Sequence, residues 1–119
     1  MQRPSTRHTL CLLAGAWLTS LCAAGQLDAA KLTIKVIEKN TARTLPCRIH
    51  LKNPAGKPVQ AGKLPFWRDH FVCPGSVVLE LETGDHAYEV ERGPEYRRAA
   101  GVFTIKNDDQ TATIELERL

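Results

Sequence analysis

Beyond residue 30 the sequence contains no apolar run with a 3.6-residue period long enough for a sizeable helix. That excludes helix bundles and doubly wound α/β folds. There is no glycine-rich phosphate loop, no Gly-x-Ser-x-Gly, no His-x-His and no Cys-x-x-Cys. These absences remove the local signatures of nucleotide cradles, serine hydrolases and compact zinc sites. Internal repeats and low-complexity segments are missing too, which argues against solenoids and propellers. Strong charge of either sign is lacking once residues 1–24 are set aside. Lys and Arg then fall from 16 to 14 with loss of Arg3 and Arg7, against 13 Asp and Glu, so the net charge is 14 − 13 = +1. A near-neutral domain makes no electrostatic case for nucleic acid or an anionic membrane surface.

Residues 1–24 have their own pattern. Arg3, Arg7 and His8 give a basic start, an apolar run follows from Leu10 to Ala24, and small residues close it. That is the three-part build of a secretory signal, with cleavage expected after Ala24 and the helical segment before it removed. The run is too short and too soon followed by polar sequence for a comfortable membrane span. Lipid attachment at Cys22 is disfavoured, because bulky Leu21 stands directly before the cysteine. The expected organisation is therefore a signal peptide at 1–24, a linker at 25–30 and one domain at 31–118. The expected location is periplasmic or extracellular, with membrane contact only during export.

A domain of 119 − 24 = 95 residues buries a small core and gains much from a staple. Of four cysteines, Cys11 and Cys22 leave with the signal. Cys47 and Cys73 remain, an even number in a chain bound for an oxidising compartment, and a disulfide between them is expected.

The mature chain alternates. Leu32, Ile34 and Val36 share one face of a first strand, and Leu45, Cys47, Ile49 and Leu51 one face of a second. Pro46 belongs at a strand start or on an edge. Asn53-Pro54-Ala55-Gly56-Lys57-Pro58 is strong turn chemistry. Further strands follow around Val77–Leu81, Tyr88–Arg92, Val102–Ile105 and Thr111–Glu117. Six short strands separated by turns predict an all-β domain, a small Greek-key β-sandwich of transthyretin-like or Ig-like kind.

One stretch departs from this rhythm. Leu64–Gly75 packs Phe66, Trp67, Arg68, Asp69, His70, Phe71 and Cys73 between two prolines and a glycine, and reads as a loop held out of regular structure. Its aromatics either plug the open end of the sandwich or present a binding surface. Asp69 and His70 are adjacent, but a metal site needs three or four converging ligands. On alternation His50 lies on a solvated strand face, and His86 follows a turn. No metal and no cofactor are therefore expected. Cys73 lacks a recognisable base partner and Cys47 faces inward, so no catalytic residue is assigned.

Three segments together resemble a known module. They are Leu45–Leu51 running to Gly56-Lys57-Pro58-Val59, Leu64–Cys73, and Val90-Glu91-Arg92-Gly93-Pro94-Glu95-Tyr96-Arg97-Arg98-Ala99. They resemble the N-terminal β-domain of exported CehA/McbA-like metallohydrolases, itself similar to the transthyretin-like sandwich of carboxypeptidase regulatory modules. The resemblance covers about Lys31 to Arg118. It implies a sandwich that accompanies a metallohydrolase domain, whose ligands begin with a His-x-His that would follow Leu119. No ligand of that family maps onto these residues, so the resemblance does not imply activity. The chain is either a free-standing accessory domain or the front of a longer product.

The resulting expectation is a non-catalytic exported module. It would dock on a protein or neighbouring domain through loops 64–75 and 91–98, using Phe66, Trp67, Arg68, Asp69, His70, Glu95, Tyr96 and Arg97. A glycan-binding module stacking sugar on Trp67 and Tyr96 is the alternative, and the front of a metallohydrolase is a third. The Phe66–Phe71 and Gly93–Arg98 loops are expected to touch at one end of the sandwich.

Overall fold

In the computed structural model residues 28–119 are described, and all regular structure among them is β. The signal segment, its cleavage site and Cys22 lie outside the described residues. Eight strands form: β1 (Ala29–Glu38), β2 (Cys47–Lys52), β3 (Phe66–Trp67), β4 (His70–Cys73), β5 (Ser76–Glu82), β6 (Gly84–Glu91), β7 (Ala99–Ile105) and β8 (Gln110–Leu116). They build a three-stranded sheet in the order β5-β1-β8 and a five-stranded sheet in the order β3-β4-β2-β6-β7. The larger sheet is antiparallel throughout. In the smaller one β1 runs antiparallel to β5 and parallel to β8.

The core follows from the alternation. Leu32, Ile34 and Val36 of β1 meet Cys47, Ile49 and Leu51 of β2 in one buried cluster with Phe71, Val90, Ile114 and Leu116. Each large side chain removed from water there stabilises the fold by about 1.5–3 kcal/mol before entropy is counted. The sandwich class expected from the sequence is the one observed. β1 begins two residues earlier than expected, inside the assigned linker, because Ala30 is itself buried.

The chain crosses between sheets at short, constrained joints. Leu45 still donates to Val36 O of β1 at 2.9 Å, and β2 starts just past Pro46, which has no N–H to give. Only Thr83 separates β5 from β6. Gly84 makes that turn with φ +126°, and a β-carbon on it would lie 2.8 Å from Pro54 Cγ. Both the backbone conformation and the space require glycine.

The main departure is at 64–75, which is not an irregular loop. Phe66–Trp67 and His70–Cys73 pair as a hairpin that adds two strands to the larger sheet. Val72 N–H bonds Pro65 O at 2.9 Å, extending the ladder to the proline. Pro65 is tolerated because β3 is an edge strand. Arg68 takes the left-handed conformation (φ 59°) that the tight turn needs, and Asp69 N–H closes it on Trp67 O at 2.6 Å.

Candidate functional site

Alternation also decides which side chains the larger sheet turns outward. From β3 across to β6 its outer face presents Trp67, His70 and Val72, then Arg48, His50 and Lys52, then Glu89 and Glu91. Arg98 comes over from the entry to β7. Polar groups at these positions stay half-wet and pair with one another across the strands.

His50 is the centre of that network. Its Nε2 lies 2.6 Å from Glu91 Oε2, and its Nδ1 lies 3.6 Å from Asp69 Oδ1. Asp69 Oδ1 is also 3.0 Å from His70 Nδ1. The register places Arg48 opposite Val72 and Ile49 opposite Phe71, so the next step brings His50 level with His70. The two rings sit 4.9 Å apart, tilted by 42°. His50, Asp69 and His70 thus offer three potential ligand atoms within 4.8 Å of one another. The sequence reading expected no metal; the fold nonetheless brings three donor groups together. His50 and His70 are 20 residues apart, and strand pairing alone makes them neighbours.

Electrostatics follow the contacts. The hydrogen bond from His70 holds the Asp69 carboxyl below its usual range, with the positive field of His50 adding to it. The His50 bond does the same for Glu91, assisted by Arg48 at 3.7 Å and Arg98 at 3.6 Å. A shallow groove of about 240 Å³ runs beside them, lined by His50, Lys52, Asp69, Ala87, Tyr88 and Glu89.

The aromatics separate. Phe71 is fully buried, and Phe66 packs half-buried against the core. Trp67, 66% exposed, plugs nothing and carries the Arg68 guanidinium 5.8 Å from its ring centroid. Tyr96 is only 7% exposed, and its hydroxyl donates to Glu38 Oε2 at 3.1 Å. The Arg92 and Arg118 guanidinium carbons lie 5.6 and 5.9 Å from its ring centroid. It is a closing residue of the core and cannot serve as a stacking platform. His86 is buried as well, its Nδ1 3.3 Å from Gly84 O, because β6 begins earlier than expected and points it inward.

The two expected binding loops do not share an end. β4 and β6 are both antiparallel to β2 and therefore parallel to each other. The 68–69 turn precedes β4 and the 93–98 loop follows β6, so they leave the sheet in opposite directions. The second loop folds onto the end of the chain instead. Glu95 pairs with Arg118 at 3.4 Å, Arg97 with Glu117 at 3.1 Å, and Tyr96 bridges to Arg118. Glu91 reaches the hairpin turn through His50, and Arg92 lines a hollow with Val72 of β4. The sequence reading missed His50, Glu89 and Glu91; the usable signal was that all three take outward positions on adjacent strands.

Cys47 and Cys73 are directly opposite each other on β2 and β4, buried, and both are free thiols. The pair is asymmetric. A hydrogen bond from Cys47 and another from Gly75 N–H at 3.4 Å lower Cys73 to about 7, while Cys47 is pushed up. Both are buried in the closed fold, which slows the access of solution reagents to them.

No family model matches this chain, and no curated protein matches it in sequence. Solved structures do match its fold. The Bacillus anthracis TIE protein is similar at TM-score 0.53 and 18% identity, covering 77% of this chain and 16% of that one. Phospholipase PlaB from Legionella pneumophila is similar at 0.51 and 14% identity, covering 78% and 26%. A DUF3823 family protein from Parabacteroides merdae is similar at 0.50 and 15% identity, covering 78% and 48%. The chain spans less than half the length of each of these, and the likeness is one of fold.

Proposed function

We propose that this chain is an exported, non-catalytic β-sandwich module that docks on a protein or an adjacent domain through the outer face of its larger sheet. The observation that carries the reading is Trp67, two-thirds exposed on an edge strand beside exposed Val72 and the charged groove. Exposed tryptophans ringed by arginine and mixed charges are typical anchors of protein interfaces. The basic, apolar and small-residue pattern of residues 1–24 supports export. The resemblance to the front domain of CehA/McbA-like metallohydrolases supports a role beside a second domain, as does the way similar folds form parts of longer chains.

Glycan binding is the second reading, now resting on Trp67 without Tyr96. The test is Trp67→Ala, followed by thermal melting, partner capture after cross-linking in the exported fraction, and a glycan array. Retained folding with loss of a captured protein supports docking. Retained capture with loss of glycan signal replaces docking with sugar binding, and unchanged behaviour in both removes Trp67 from function.

A further inference from the structure

We propose that His50, Asp69 and His70 form a binding site for a divalent transition-metal ion of the borderline class, of which zinc(II) is the type. Two imidazoles and a carboxylate are the donor set that such ions take, with three protein ligands leaving a fourth position for water or an incoming donor. Metal–donor bonds of about 2.0–2.1 Å in a tetrahedron put donors about 3.3 Å apart. The observed His70 Nδ1–Asp69 Oδ1 and His50 Nδ1–Asp69 Oδ1 separations, 3.0 and 3.6 Å, bracket that spacing.

Glu91 supplies an independent argument. With His50 Nε2 engaged by Glu91 Oε2 at 2.6 Å, Nδ1 is the ring atom that faces the Asp69 carboxylate, at 3.6 Å. A metal ion seated between Nδ1 and Asp69 Oδ1 would engage both donor atoms at once. A carboxylate behind the distal nitrogen of a ligating histidine is also the arrangement that fixes ring and tautomer in metal sites. On binding, the ion takes the place of the proton between His70 Nδ1 and Asp69 Oδ1; that proton passes to solvent, and neutral His70 holds its single N–H on Nε2 by exchange with water. The strands hold two of the three ligands, and the closed 67–69 turn holds the third.

This inference stands apart from the docking role, since it needs neither Trp67 nor a partner. The test uses the untagged full chain. Zinc is titrated in competition with a chromophoric chelator, and cobalt(II) is added as a spectroscopic substitute. The expected result is one ion per chain, with visible cobalt bands of tetrahedral intensity and no thiolate charge-transfer band. His50→Gln, Asp69→Asn and His70→Gln should each weaken zinc by 100-fold or more, and Glu91→Gln by about 10–100-fold. Circular dichroism melts without metal keep the comparison to folded variants. Absence of binding at millimolar zinc, equal affinity in the ligand variants, or a thiolate band placing the ion on Cys47 and Cys73 would each overturn the site. In those cases His50 simply joins two carboxylates across the sheet.

Discussion

His50 in β2 and Glu91 in β6 are joined at 2.6 Å although they are not register partners: Glu91 stands opposite Arg48, and His50 opposite Glu89. The diagonal contact ties the end of β6 to the middle of β2, and His50 carries the tie on to the hairpin turn at Asp69. A groove with a fixed charged wall results, built on strands rather than on loops.

Two aromatics four residues apart should behave in opposite ways. Phe71→Ala empties a fully buried position and should cost about 3–5 kcal/mol, a large share of the 5–15 kcal/mol of stability of an ordinary domain. Trp67→Ala removes a mostly exposed side chain and should change stability by no more than about 0.5 kcal/mol. Urea denaturation of both variants checks this, and a Trp67 variant as unstable as the Phe71 one would mean that the hairpin edge is a structural seal.

The Glu38 carboxyl is held below its usual 4.5 by the Thr41 hydroxyl first, then by the Tyr96 hydroxyl and the charge of Arg43. A carboxyl with a lowered folded value adds stability that is fully present above 4.5 and is lost as pH falls through the lowered value. Glu38→Gln should therefore melt below the parent at neutral pH, and the gap should close as the solution is acidified. Melting curves from pH 7 downward read this directly; a gap independent of pH would show that Glu38 acts through packing alone.

Oxidation should join Cys47 to Cys73. Directly opposed residues of an antiparallel pair have α-carbons about 4.5–5.5 Å apart, inside the range a disulfide spans. The closed loop has 73 − 47 = 26 residues, so the bond should add about 3.5 kcal/mol in the chain-entropy model. Thiol counting in denaturant and melting with and without reductant test it. Two free thiols in protein taken from an oxidising compartment would refute it.

Export should remove residues 1–24. The intact mass of the mature protein should begin at Gly25, and a species still holding Trp17 would contradict the secretory reading.

Strand alternation was legible in the bare sequence because its period of two depends only on which residues face the core. Leu32, Ile34, Val36, Cys47, Ile49 and Leu51 declared their faces before any pairing was known, and with them the sandwich class and the inward aim of Cys47. The hairpin at 66–73 was hidden because its first strand has only two residues and its prolines mimic a loop. Tyr96 looked like an open platform because nothing nearby in sequence announces Glu38, 58 residues away. The candidate site depended most on tertiary structure. His50, Asp69, His70 and Glu91 come from three separate segments, and only the strand order β4-β2-β6 brings them within reach. Local sequence sets which way a side chain points, whereas its neighbours depend on the register of strands distant in the chain.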